Sequence, residues 1–130
     1  MIPYDRAFDP PAPVLAVEVA NPMRPRRRQS VSALIDTGSD ITALPATLVN
    51  SLRLSSTGRL RLEGVESRSR WVVTYSVQVT VADVTIARLK VVPVAFEFGV
   101  LGRDALKSFH ILLNGPESVF DIRTTSFALR

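Results

Sequence analysis

Along this chain, apolar and polar residues alternate far more often than they recur at helical spacing. The longest run is 71–81. Trp71, Val73, Tyr75, Val77, Val79 and Val81 fall on one side, and Val72, Thr74, Ser76, Gln78 and Thr80 on the other. Period two over that length predicts a half-buried strand. Residues 14–20 alternate in the same way, with Leu15, Val17 and Val19 on one face. Residues 29–36 read as a second strand ending on Asp36. Asp83 marks a turn, after which 84–95 return as a strand. The phase of that strand changes between Ile86 and Leu89, the mark of a bulge. Residues 109–113 and 118–122 read as a late hairpin closed at Asn114-Gly115.

Helical spacing is confined to two places. Leu44, Leu48 and Leu52 lie four apart with Pro45 suited to a helix start, so a short helix or turn is expected there. A second short helix is expected from near Arg103 through Leu106. Pro10, Pro11 and Pro13 stiffen the beginning of the chain. Residues 1–12 therefore read as an N-terminal extension ahead of one domain over 13–130. The fold expected is all-β: a closed, barrel-like subunit of six to eight strands with one short helix near the C-terminal end.

Composition narrows the chemistry. A chain of 130 residues fits one domain, and its apolar fraction of 46% is ordinary for a globular protein. There is no Cys, which removes disulfides and thiolate metal sites. His110 is the single histidine, so a Ser-His-Asp triad or a histidine metal site would rest wholly on it. It lies opposite the Phe109, Ile111 and Leu113 face and reads as a surface or interface residue. No cofactor and no metal are expected. No apolar run approaches the roughly 18 residues that cross a membrane, and the first 13 residues lack the basic start and apolar core of a signal peptide. A soluble, cytoplasmic chain with no membrane partner is expected.

The net charge is +4, and Arg24, Arg26, Arg27 and Arg28 nearly account for it. They read as a solvated turn between two strands. A nucleic-acid or acidic-substrate patch is the alternative. No aromatic residue interleaves with these arginines, so no nucleic-acid partner is expected.

The chemistry centres on Ala33-Leu34-Ile35-Asp36-Thr37-Gly38-Ser39-Asp40. An apolar strand delivers a carboxylate at its end. Gly38 lets the backbone turn and approach a ligand closely, and Thr37 offers a hydroxyl to brace the loop. About sixty residues later comes Val100-Leu101-Gly102-Arg103-Asp104, which follows an apolar strand and opens a short helix.

In that order, the two motifs resemble those of the retropepsin-like (retroviral-type) aspartic peptidases, over roughly residues 13–123. The resemblance implies an acid-protease subunit that contributes one catalytic Asp, with two copies forming one active site. It implies catalytic roles for Asp36, Thr37 and Gly38, and substrate contacts from Ser39 and Asp40. It also implies a flap hairpin near residues 63–70 that brings Gly64, Val65 and Glu66 to the substrate. Gly102 and Arg103 would support the catalytic loop, with Arg103 pairing with Asp40. Trp71 and Tyr75 read as core or flap packing, and Asp104 as an early-helix acid favoured by the helix dipole.

The function so implied is endopeptidase hydrolysis by a homodimer acting on a peptide or protein substrate. Two carboxylates a few ångströms apart share one proton, so one form activates water while the other polarises the carbonyl. A non-catalytic dimerisation or peptide-binding domain of the same fold is the alternative. A basic β-barrel binding nucleic acid ranks behind it. The dimer interface is expected on a terminal strand within Val119 to Leu129.

Overall fold

The computed structural model describes residues 1–63 and 69–128. Its elements run β1 (Ile2–Pro3), β2 (Val14–Asn21), β3 (Arg24–Ile35), β4 (Thr42–Pro45), α1 (Ala46–Ser51) and β5 (Ser56–Glu63). There follow β6 (Ser69–Val81), β7 (Val84–Val94), β8 (Gly99–Leu101), α2 (Arg103–Leu106), β9 (His110–Asn114) and β10 (Val119–Arg123). The chain is mostly strand with two short helices. α1 sits where the four-residue leucine spacing places it, and its Leu48 and Val49 are buried.

Seven strands form one sheet in the order β2-β3-β8-β4-β7-β6-β5. β2 also pairs with the far half of β6, so the sheet returns on itself as a ring. Val17, Val19, Ile35, Val77, Val79, Val81, Val91 and Leu101 fill the interior. Burial of this kind stabilises by about 25 cal/mol per Å² of apolar surface removed from water. A second sheet, β1-β10-β9, lies outside the ring. Its Phe120 and Ile122 join the core. Residues before 13 belong to this layer: Ile2 pairs with Phe120, and Ile2 and Tyr4 pack on the core.

Two expectations need correction. The Arg24–Arg28 stretch is strand, not turn. The turn is Pro22-Met23, and the arginines occupy the first half of β3, opposite a register shift at Ala20/Asn21. The expected inward face of β6 holds only in its second half. Val77, Val79 and Val81 are fully buried, but Trp71 is 62% exposed and Val73 43%. The first half of β6 pairs with β5 and leaves the ring, so its apolar residues have no core to enter. Arg59 of β5 covers the Trp71 ring at 5.0 Å, and Thr74 is buried instead. In the outer sheet, β10 lies between β1 and β9. The phase change in β7 is present as a register shift opposite Val77 and Val79.

Candidate active site

Three strand ends build the site. β3 and β8 run parallel, with Ile35 beside Leu101, and β8 pairs antiparallel with β4 through Val100 and Ala43. β8 is thereby inserted between the strand entering the Asp36 loop and the strand leaving it. The Asp36 N–H donates to the Leu101 carbonyl at 3.0 Å, which fixes where the loop begins.

The half-buried Asp36 then organises its own turn. Its Oδ1 accepts the Gly38 N–H at 2.9 Å, and its carbonyl accepts the Ser39 N–H at 3.2 Å. A Cβ at position 38 would stand 3.1 Å from Asp36 Oδ1, so a bare Gly lets the loop fold back this closely. Ser39 Oγ donates to the Ile41 carbonyl at 2.7 Å.

The 102–104 segment lies beneath this loop. A Cβ on Gly102 would come within 2.7 and 2.8 Å of the Ile41 carbonyl carbon and oxygen, which no side chain tolerates. The Gly102 N–H donates to Thr42 Oγ1 at 3.1 Å. Arg103 holds two loop carbonyls: its N–H donates to Ser39 O at 2.8 Å, and its Nη1 to Thr37 O at 2.7 Å.

The expected Arg103–Asp40 ion pair does not form. Among the described residues, the only ion pairs are Arg28–Glu18 and Arg123–Asp121. The Arg103 guanidinium is drawn to the unsatisfied Thr37 carbonyl, and the exposed Asp40 carboxylate stays in solvent at the edge of a cavity.

Asp104 adds a further link across the two segments. Its Oδ1 accepts the Thr42 hydroxyl at 2.7 Å, and its Oδ2 accepts the Thr42 N–H at 3.1 Å. Thr42 is fully buried. The sequence reading missed this clasp. Its only signal is a Thr at the start of an apolar strand and an Asp just inside a helix, both common for other reasons.

A cavity of about 490 Å³ opens at Asp36. Ala43, Val92, Val94 and Val100 give it an apolar floor. Leu62, Glu63 and Arg70, from the β5–β6 hairpin, form its opposite wall. Gly38, Ser39 and Asp40 line the same space. A second cavity of about 640 Å³ continues past Asp40 and Ile41 along that hairpin. Of the expected site residues, Asp36, Gly38, Ser39 and Asp40 therefore meet at one opening. Thr37, Gly102 and Arg103 lie in or under the loop. Gly64, Val65 and Glu66 lie outside the described residues. Among those described, no group of three or more His, Asp or Glu is placed to hold a metal ion.

A strand ring that presents Asp36 on a Gly-supported loop, at an open cleft with an apolar floor, is an acid-protease-type fold. The aspartyl protease family model matches residues 17–105, and the chain belongs to that family. No curated protein matches the chain. Solved structures of the same fold include the EIAV protease complexed with the inhibitor HBY-793. It has 19% identity and a TM-score of 0.57, over 74% of this chain and 86% of that one. A retropepsin-like aspartic protease from Rickettsia conorii has 15% identity and a TM-score of 0.57, over 88% of this chain and 84% of that one. A foamy viral protease-reverse transcriptase has 16% identity and a TM-score of 0.57 over 74% of this chain, which spans only 12% of that longer polypeptide.

Proposed function

We propose that the chain is an endopeptidase subunit that works as a homodimer, with Asp36 from each copy forming one catalytic pair. The observation that carries this is the position of Asp36. It stands half-buried at the mouth of a cleft with an apolar floor and a hairpin wall, on a loop tied down from two sides. One copy supplies one Asp-Thr-Gly. Hydrolysis of an amide needs a base for water and an acid for the carbonyl and then the leaving nitrogen. Two Asp36 carboxylates sharing one proton supply both. The ionised Asp36 takes a proton from water as its oxygen attacks the carbonyl carbon. The protonated Asp36 gives its proton to the carbonyl oxygen. Collapse of the resulting diol breaks the C–N bond, and the amine leaves with a proton from the dyad. The pair titrates as a unit.

A symmetric dimer requires a self-complementary surface. One edge of β9 is the candidate, since among the described residues this strand pairs only with β10. Leu113 on this strand is 52% exposed. Two β9 strands paired antiparallel across a two-fold axis would join two three-stranded sheets into one of six.

The test is a mixing experiment. Wild-type protein digests a denatured protein substrate, and Asp36→Asn alone does not, although it folds and dimerises normally. Excess Asp36→Asn subunits added to wild type then suppress activity, because mixed dimers hold one competent carboxylate. Full activity in the mutant, or wild-type activity indifferent to excess mutant, refutes the shared site.

A further inference from the structure

The arginines at the start of β3 are not spread evenly over a solvated strand. Arg24 and Arg27 line a cavity of about 290 Å³ together with Arg53, which comes from the turn after α1. Asn21, Met23 and Ser55 complete its wall. A neighbouring cavity shares these three and adds Arg88. Among the described residues, no Asp or Glu lines either space. Among the described residues, none of these four arginines lies within salt-bridge distance of a carboxylate. Arg28, in the same run, is instead paired with Glu18 at 2.8 Å.

The scaffold that brings these cations together is specific. Asn21 is 5% exposed. Its Nδ2 donates to the carbonyls of Leu52 and Arg53, both at 3.0 Å, and its Oδ1 accepts the Met23 N–H at 2.9 Å. One buried amide thus pins the turn after α1 to the β2–β3 turn. Arg53 itself holds φ 51°, a left-handed backbone that Gly or Asn adopts at less cost. The fold therefore places a cation from a constrained turn beside two more from a strand, with no internal counter-charge.

We infer that this pocket, formed by Arg24, Arg27 and Arg53, is a binding site for a phosphate-bearing anion. Guanidinium forks match the geometry of phosphate oxygens and bind them bidentately. The cavity is sized for a phosphate group and not for a folded partner. It shares no lining residue with the cavity at Asp36, so its occupant does not compete with substrate. Such a site anchors or regulates the protein from a face separate from the catalytic loop. The phosphate has two sources: a soluble polyphosphate or a phospholipid headgroup.

Titration calorimetry with inorganic tripolyphosphate on the full chain tests the site. One equivalent per chain should bind, at least tenfold more weakly in Arg53→Ala and in Arg27→Ala. Arg26→Ala should bind within about twofold of wild type, because Arg26 is exposed on the same strand but does not line the pocket. Thermal melts verify that each variant folds. A parallel arm measures co-sedimentation with vesicles of phosphatidylserine and phosphatidylcholine, against phosphatidylcholine alone. Vesicle binding lost in Arg53→Ala but kept in Arg26→Ala supports the site and names the lipid as its source. Saturable tripolyphosphate binding without vesicle binding supports the site and names the soluble source. Equal weakening by Arg26→Ala and Arg53→Ala would reduce the site to diffuse charge and overturn the inference. So would absence of binding in both arms.

Discussion

Replacing Thr42 by Val keeps the shape of the side chain and removes one hydroxyl. In the structure that hydroxyl makes two hydrogen bonds, one donated to Asp104 and one accepted from the Gly102 N–H. The first is charge-assisted, a class that contributes about 1.5–3 kcal/mol, and an orphaned buried N–H costs about 1–3 kcal/mol. Asp104 is half-buried and recovers part of its loss by hydration. The expected net destabilisation is therefore about 3 kcal/mol. For a chain of this size each kcal/mol lowers the midpoint by about 3–5 °C, so Tm should fall by about 10 °C. Thr42→Ser is the control, because it keeps the hydroxyl and loses one methyl, about 1 kcal/mol. Denaturant titration at fixed protein concentration measures both, which holds any association constant across variants. If Thr42→Val is no less stable than Thr42→Ser, the clasp is not what holds the two motifs together. A cycle with Asp104→Ala adds a second check, since residues in one hydrogen-bond network couple by at least about 0.5 kcal/mol.

Other substitutions separate the remaining supports. Gly102→Ala should cost several kcal/mol or prevent folding, because the new Cβ meets Ile41 backbone at 2.7 Å; recovery of soluble, cooperatively melting protein measures it. Arg103→Ala should lower global stability by only about 1 kcal/mol, the net worth of one exposed hydrogen bond, while reducing peptidase turnover through a loosened Thr37 carbonyl. Leu113→Lys should shift the protein to monomer in sedimentation velocity, with activity falling in parallel; an active dimer would place the interface elsewhere. Specific activity of the wild type should decline on dilution through the dimer dissociation constant, which a concentration series at constant substrate reads directly.

Much of this arrangement is legible in the residues, because the strands that matter obey local rules. The alternation of 77–81 and of 15–19 reports burial directly, and Pro45 with the leucine spacing marks α1. Asp36-Thr37-Gly38 and Gly102 stand out as a pair because each needs a sharp backbone approach. What local pattern cannot report is where a strand leaves the core. Trp71 and Val73 continue the apolar period of β6, yet they lie beyond the point where the ring closes. Nor does it report which donor reaches which acceptor across some sixty residues. Arg103 and Asp40 have complementary charge, but the loop carbonyl of Thr37 lies within reach of the guanidinium and takes it. Asp104 does lie in the first turn of α2, as a helix-dipole acid would, and it also joins the two segments through Thr42. The Arg24–Arg28 run reads as a turn because Pro and charge dominate it. The chain turns earlier, at Pro22-Met23, because the buried Asn21 caps that turn through Met23.

The topology explains why the Asp36 loop depends on such distant partners. β3 delivers Asp36 and β4 carries the chain away, but the two do not pair with each other. β8, from much later in the chain, fills the gap between them. Beside its own internal hydrogen bonds, the Asp36 loop thus takes its supports from the C-terminal third. Its three fixings from that region, Leu101 O to Asp36 N–H, Arg103 to Thr37 and Ser39, and Asp104 to Thr42, all arrive together. The β9–β10 hairpin, with its unpaired β9 edge, begins only a few residues further on. A chain stopped before residue 99 would retain Asp36 and its apolar strand but lack both the supports of the loop and the edge proposed for pairing. The supports of the Asp36 loop and the edge proposed for pairing are thereby drawn from the same late segment.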